Sequence, residues 1–204
     1  MSTVSDLTKS ELTDHPGRFS TYIHECPDQG LMALLDRSLD QDLDWSVFEP
    51  IAQRAYAPGK WTVIGVLQHM MDSERIFSYR ALRIARGDTT PLPGFDENSY
   101  GVNAAGGTSD FSVALDEFRL LRRSTAALFR SFDPAWLHRR GTCSGIEISA
   151  GSLGLAINGI TAPCWIRVIV LWQVSSPPVL RFTAPRHESA YWPGAIDRPS
   201  AAPD

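Results

Sequence analysis

Apolar residues recur at helical spacing along several stretches of the chain. In the clearest stretch they repeat every three or four residues and would line one face of a helix, at Val63, Val66, Leu67, Met70, Phe77, Ala81 and Ile84. Thr62 precedes this stretch and can cap a helix N-terminus, and Gly87 follows it and can adopt the left-handed conformation that ends many helices. The pattern therefore predicts a helix that begins at residue 63 and ends just before Gly87.

Two further stretches have the same period. Residues 26–48 have Asp28 as a candidate cap and a stripe formed by Leu31, Leu34, Leu35, Ser38 and Leu39. Residues 111–133 have an inner stripe formed by Phe111, Ala114, Leu115, Phe118, Leu121, Thr125, Leu128 and Phe132. Pro134 predicts a short helical turn, residues 139–149 a connector, and Ser149 the cap of a fourth helix over residues 150–159.

The segment between the second and third helices is rich in proline, glycine and asparagine, and we expect no regular structure from residue 87 to residue 110. Asp96, Glu97 and Asn98 in this segment are attributed to turn chemistry. A connection of this length is longer than most and is typical of functional loops or lids. Three long helices and the start of a fourth predict an all-α fold, a four-helix bundle with a crossover connection.

The two ends of the chain lack this periodicity. Residues 1–19 are polar and are expected to form a flexible N-terminal segment, which leaves residues 20–159 as the helical domain. Residues 160–204 contain seven of the fourteen prolines, and we expect an irregular tail that is poorly ordered from residue 175 onward. The fourth helix is therefore expected to be truncated or altered.

Composition excludes several classes of function. The net charge is −4 and the positive charges are not clustered, so a nucleic-acid partner is not expected. The N-terminus lacks the apolar core of a signal peptide, and the most apolar stretch contains Asn158, Pro163 and Arg167, so a membrane span is not expected. The cysteine count is odd and no CxxC motif occurs, which favours reduced thiols in a cytoplasmic protein.

His69 lies in the middle of the second predicted helix and is the candidate for chemistry. Gly65 and Ser73, one turn to either side, are small and would leave space beside the imidazole, and Asp72 could accept a hydrogen bond from it. A packing role remains the more common reading of a half-buried histidine. Glu74 and Arg75 are read as part of a solvated charged face.

Other candidate groups have weaker support. The arginines of the second helix, at positions 75, 80, 83 and 86, are interpreted as surface charge and helix-end stabilisation rather than as an anion site. Cys143 has no histidine near it in sequence except His138, so a catalytic thiol is not expected there. No catalytic residue is assigned.

Several short motifs in order resemble the DinB-like superfamily of small bacterial proteins. Residues 56–100 contain GKWT, the pattern H-x-x-D-x-E and the pair RALRIARGD and PLPGFD, and the likeness continues through residues 118–145 to SLGLAING at residues 152–159. The resemblance implies a four-helix bundle, often dimeric, in which three histidines bind a divalent metal such as zinc or nickel. Characterised relatives include thiol-dependent transferases and isomerases, in which the metal activates a low-molecular-weight thiol. The resemblance therefore implies a metal-dependent transferase or hydrolase.

The resemblance matches His69 to the first metal ligand of the family. The other two ligands belong to a fourth-helix motif, G-H-x-x-x-H, where this chain has Gly159, then Ile160 and Cys164 in place of the two histidines. Ile160 cannot bind a metal, and Pro163 disfavours the helix that would direct a Cys164 thiolate toward one. The abrupt loss of motif and periodicity after Gly159 suggests a change of reading frame in the gene, and a natural replacement of the last helix is the less economical alternative.

These observations leave two hypotheses. In the first, the chain derives from a metal-dependent enzyme of this family, its metal site is impaired, and His69 still points into the bundle toward Gly159. In the second, it is a non-enzymatic helical module that dimerises or binds a partner without metal. A small molecule or low-molecular-weight thiol is a possible ligand under the first hypothesis, and a homodimer is compatible with both.

Overall fold

The computed structural model describes residues 7–11, 16–17, 19–37, 44–55, 57–104 and 110–161. The helices are α1 (Phe19–Glu25), α2 (Leu31–Asp36), α3 (Val63–Ala85), α4 (Glu97–Ala104), α5 (Phe111–Arg130) and α6 (Pro134–Leu137), followed by α7 over residues 150–161. Two short strands, β1 (Arg140–Cys143) and β2 (Ile146–Ser149), form an antiparallel hairpin. Two 3-10 segments, Lys9–Glu11 and Trp45–Ile51, complete the described elements.

The two longest helices agree with the sequence prediction. The Thr62 hydroxyl accepts a hydrogen bond from the Gly65 N–H at 3.1 Å and so caps α3. Gly87 follows the last turn with φ +82°, the left-handed conformation that glycine adopts without strain. In α5 the Asp110 carboxylate accepts hydrogen bonds from the backbone N–H groups of Ser112 and Val113. The Thr62 cap and Gly87 therefore bound α3 as predicted, whereas the Asp110 cap was not predicted and α5 ends at Arg130, three residues before the predicted end.

The core lies where α3 and α5 pack against each other. Its members in these helices include Leu67, Met70 and Phe77 of α3 with Phe118 and Phe129 of α5, all nearly inaccessible to solvent. Trp45 packs edge-on against Phe118 with ring centroids 6.2 Å apart, and Phe19 packs edge-on against Phe77 at 5.5 Å. The 3-10 segment Trp45–Ile51 and the helix α1 therefore pack against different parts of the interface between α3 and α5.

The prediction of a single helix over residues 26–48 is wrong. Gly30 precedes α2 in an extended conformation, and no side chain caps the helix. The Asp28 carboxylate, expected to be that cap, instead accepts a hydrogen bond from the Ser10 N–H at 3.0 Å. Pro27, which has no N–H group, follows the end of α1, so the chain enters α2 only after a turn. Ser38 and Leu39 lie outside the described residues.

Part of the N-terminal segment packs onto the bundle. Leu7 is buried, and its carbonyl accepts a hydrogen bond from the Leu31 N–H at 2.8 Å. The Lys9 ammonium donates to the Cys26 carbonyl at 2.7 Å, near the end of α1. Residues 7–11 therefore pack onto the bundle, contrary to the expectation of a flexible N-terminal segment. The domain boundary at residue 20 stays a prediction.

The structure also contains two elements that the sequence did not predict. The connector over residues 139–149 is the β1–β2 hairpin, whose two turn residues, Ser144 and Gly145, have φ of +54° and +75°. The supposed loop before α5 contains α4, since the Asp96 carboxylate accepts hydrogen bonds from the N–H groups of Asn98 and Ser99 and so caps this helix. In both places short polar residues specify regular structure.

α7 begins at its predicted cap, because the Ser149 hydroxyl accepts a hydrogen bond from the Ser152 N–H at 3.1 Å. The helix continues past residue 159, and Ile160 is buried within it. The predictions for the remaining tail, from residue 162 to residue 204, lie outside the described residues. Among the described helices, none combines the length and apolarity needed to span a bilayer.

Gly159 of α7 lies directly against the backbone of α1. A methyl group at this position would lie 1.7 Å from the carbonyl oxygen of Tyr22. Because that oxygen belongs to the backbone of another helix, it cannot move aside as a flexible side chain could. Only glycine fits this contact between the two helices.

A buried ion pair joins α3, α5 and α7. The Arg122 guanidinium of α5 donates to both carboxylate oxygens of Glu74 in α3 at 3.0–3.1 Å. It also donates to Asn158 Oδ1 at 3.3 Å and to Thr161 Oγ1 at 2.9 Å, both on α7. The Glu74 side chain is 1% exposed, so its assignment to a solvated face was wrong. Its partner, Arg122, belongs to another helix and lies 48 positions further along the chain.

Replacing Glu74 with glutamine should destabilise the protein by roughly 3–5 kcal/mol, because a buried guanidinium would lose its charge partner. The matched control is Arg75→Ala, which removes the neighbouring exposed ion pair with Glu117 and should cost less than about 1 kcal/mol. Urea unfolding followed by circular dichroism measures both variants. Equal losses in the two variants would contradict the importance of the buried pair.

Replacing Gly159 with alanine should destabilise the protein by about 3 kcal/mol or more, because α7 and α1 would have to separate. Gly65→Ala is the control, since the nearest atom there is the flexible Thr62 hydroxyl and alanine favours a helix, so we expect a change within about 1 kcal/mol. Thermal unfolding monitored at 222 nm compares the two. A Gly159→Ala variant as stable as the unmodified protein would disprove the close contact.

Candidate functional site

His69 lies near the middle of α3 and is partly buried. Its ring packs against the indole of Trp61, with ring centroids 4.8 Å apart and planes inclined by 48°. Trp61 lies immediately before the Thr62 cap, so the start of α3 folds the indole back over the helix that follows. The imidazole thus has an aromatic wall on one side.

The short helix α4 packs against this wall. A methyl group at Gly101 would lie 2.9 Å from the indole nitrogen of Trp61 and 3.0 Å from a neighbouring ring carbon. The indole therefore contacts both the backbone of α4 and the ring of His69. Sequence reasoning missed Trp61 and Gly101, because nothing in the helical period of α3 indicates that residues outside it fold over His69.

Burial determines the electrostatics of the imidazole. It lowers the pKa of His69 below its ordinary value of 6.5, and the carboxylates of Glu97 and Asp72 oppose this effect in that order. The ring is therefore neutral at pH 7, with a nitrogen lone pair available to accept a hydrogen bond or to bind a metal. Glu97 belongs to α4, so this helix contributes both a contact and a charge to the site.

Asp72 does not make the interaction with His69 that its spacing suggested. Its carboxylate accepts a hydrogen bond from Gln68 Nε2 at 3.1 Å and lies 3.6 Å from the Arg75 guanidinium. These partners lie on α3 itself and hold the carboxylate at the helix surface. Among the described contacts none is a hydrogen bond from the imidazole to Asp72, so its influence on His69 is through charge alone.

Ser73, predicted to leave space beside His69, is instead packed into the interior. Its side chain is 1% exposed, and its hydroxyl has no hydrogen-bond partner among the described residues. Gly65, on the other side of His69, lies near the Thr62 hydroxyl and the Trp61 side chain. The small residues therefore serve the packing of α3 as well as the space around the ring.

The arginines of α3 make interactions of a structural kind. Arg75 pairs with Glu117, and Arg83 pairs with Asp88. The interpretation of Arg80 as surface charge was wrong, because its side chain is buried and donates to the Pro93 carbonyl at 2.7 Å, which connects α3 to the segment before α4. Arg86 lies over the ring of Trp136 at 4.9 Å.

The described residues do not assemble a metal site around His69. No group of three histidine, cysteine, aspartate or glutamate side chains among them is placed to hold one ion. Burial raises the pKa of Cys26 to about 11 and raises that of Cys143, so both described thiols are protonated at pH 7. Cys164 lies outside the described residues.

The resemblance predicts that the fourth-helix metal motif begins at Gly159. The described residues at this point of α7 make packing contacts and hydrogen bonds within the bundle. Ile160 is 2% exposed, Gly159 contacts the backbone of Tyr22, and Asn158 and Thr161 accept hydrogen bonds from Arg122. None of the described contacts of His69 is with Gly159. The proximity of these two residues stays a prediction.

Comparison with known proteins identifies the family. A family model of the DinB superfamily matches residues 1–159, and no curated protein sequence matches the chain significantly. Among solved structures the chain is similar to YfiT from Bacillus subtilis, described as a probable metal-dependent hydrolase with an unusual four-helix bundle topology. The identity is 19% and the TM-score 0.53, over 77% of this chain and 87% of YfiT. The predicted family resemblance and the helical-bundle fold are confirmed.

The lowered pKa of His69 predicts a pH dependence of stability. The unfolded chain takes up a proton near pH 6.5 while the folded chain does so only at lower pH, so stability is present above 6.5 and is lost as the pH falls through the folded-state pKa. Replacing His69 with glutamine should flatten this decline between about pH 7 and pH 5. Urea unfolding across this range measures the effect.

His24→Gln is the control for that experiment, because it removes an exposed histidine at the end of α1. As the pH falls, stability should decrease less steeply in His69→Gln than in His24→Gln. A titration of the His69 ring protons by NMR that gave a pKa above 6.5 would contradict the assignment.

Proposed function

Because the chain belongs to the DinB superfamily, we propose that it is a helical bundle module that retains the family's first metal-ligand position, His69, and binds a divalent metal weakly or not at all. Its biological role would then rest on association with a second copy of the chain or with another partner, rather than on metal-dependent catalysis. We place this function in the cytoplasm, in keeping with its cysteine content.

One observation carries the proposal. Ile160, which is apolar and 2% exposed, occupies the position where the family motif has a histidine. An isoleucine side chain has no lone pair and cannot be a ligand. A lone imidazole binds zinc or nickel far more weakly than three imidazoles held around one ion, because each further ligand then binds as part of the same chelate.

The surroundings of Ile160 favour packing over ligation. Asn158 and Thr161, which flank it on α7, accept hydrogen bonds from Arg122. Their oxygens are therefore committed to the guanidinium, whose positive charge would repel a cation placed beside it. A metal near the start of this helical turn would meet an apolar side chain and an arginine.

A second candidate function is a metal-dependent hydrolase or thiol-dependent transferase. The similarity of the fold to that of YfiT favours it. A bound divalent ion would supply an activated water or thiol, and His69 would be one of its ligands. This candidate requires further ligands beyond the described residues, of which Cys164 is the one that the family motif indicates.

The proposal predicts that metal affinity can be created by substitution. A variant with Ile160→His, Pro163→Ala and Cys164→His should bind zinc at least about 100-fold more tightly than the unmodified chain, because the two new imidazoles are one helical turn apart and can join His69 at one ion. Isothermal titration calorimetry with zinc and with nickel measures the affinity.

Adding His69→Ala to that variant should abolish the gain, which separates a shared site from binding by the two new histidines alone. The exposed His24 provides the matched control, since His24→Ala in the same background should keep the gain. Tight, stoichiometric zinc binding by the unmodified chain would overturn the proposal and favour the second candidate.

A further inference from the structure

α4 packs against α3 but buries little of its own surface. None of its residues is buried, and the side chains of Tyr100 and Val102 are 45% and 74% exposed. Its described hydrogen bonds are local, from Asn98, Ser99 and Tyr100 to Asp96 and from Asn103 to Ser99. A segment with this little buried surface opens at a lower free energy than the core helices do.

α4 packs directly against α3 and also meets the indole of Trp61, which lies just before α3. Gly101 approaches the indole so closely that a methyl group there would meet three of its ring atoms at 2.9–3.2 Å. The indole also contacts the His69 ring, at 4.8 Å between centroids. The backbone of α4, the indole and the imidazole are therefore connected by successive contacts.

We propose that Trp61 and α4 form a cover that closes over the His69 imidazole, with Gly101 as the position at which α4 meets the indole. When α4 lies against Trp61, the indole shields one face of the ring. When α4 lifts, the indole is released from that side and the imidazole becomes reachable by a small molecule. The cover is independent of whether a metal binds, so it can hold even if the proposed function fails.

Gly101 determines how tightly the cover closes. Its lack of a side chain lets the helix backbone reach the indole, and the ring atoms that it meets belong to a rigid group whose displacement moves the whole side chain. A methyl group at this position would crowd the packed contact and shift the closed–open equilibrium toward the open form by about fivefold to 100-fold. Exposed positions of the same helix have no such effect.

Acylation of histidine by diethyl pyrocarbonate tests the cover in the full-length protein. The reagent reacts with neutral imidazole rings that it can reach, and mass spectrometry of peptides gives a rate for each histidine. His24 and His138 are exposed and serve as internal references. In the unmodified chain His69 should react more slowly than either, and in Gly101→Ala its rate should rise by about tenfold or more, with the reference rates unchanged.

Val102→Ala is the matched control, because it changes a side chain that is 74% exposed on the same helix and should leave the His69 rate as it is. Trp61→Ala should give the fastest reaction of all, since it removes the cover itself. A Gly101→Ala variant whose His69 rate equals that of the unmodified protein would overturn the proposal.

Hydrogen exchange on the unmodified chain provides a second test that does not depend on any variant folding. The backbone amides of α4 should exchange through an opening that leaves those in the middle of α3 protected. If α4 amides exchange only together with α3, in global unfolding, then α4 does not move separately and the cover does not exist.

Discussion

The buried ion pair between Glu74 and Arg122 is the interaction on which the arrangement of the helices depends. Both charges are withdrawn from water, which is costly unless each has its hydrogen bonds satisfied. Here the guanidinium fulfils that condition by donating to both oxygens of the carboxylate and to two side chains of α7. The pair is stable only where α3, α5 and α7 meet, so it selects one relative placement of these helices over others with similar apolar contacts.

This constraint bears directly on the candidate site. His69 lies five residues before Glu74 on the same helix, so the ion pair sets its height along the bundle. On α7 the two acceptors of Arg122 flank Ile160, and the contact between Gly159 and Tyr22 fixes the same turn against α1. The turn at which the resemblance predicts a metal-binding motif is therefore firmly placed, and its described residues serve packing and charge satisfaction.

Sequence reasoning predicted the parts of the fold that depend on local chemistry. The period of apolar residues and the caps at Thr62 and Ser149 gave α3 and the start of α7, because a cap and a stripe are properties of neighbouring residues. The sequence predictions failed where the environment of a residue depends on a partner that is distant in the sequence. Glu74 looked like a solvated acid, and only the fold brings Arg122 to it. The α4 helix was missed because a segment with no apolar stripe has no periodic signal, and its cap at Asp96 resembles an ordinary turn.

The candidate site divides in the same way. His69 could be selected from its helix and from the family motif, whereas the indole of Trp61 over its ring depends on tertiary structure. The metal content of the purified, unmodified chain tests most directly whether His69 is a lone ligand position. After exchange into buffer free of chelators and added metals, elemental mass spectrometry should find divalent transition metal far below one equivalent per chain. A full equivalent of zinc or nickel that persists through this exchange would contradict the proposal and would show that this bundle completes a metal site.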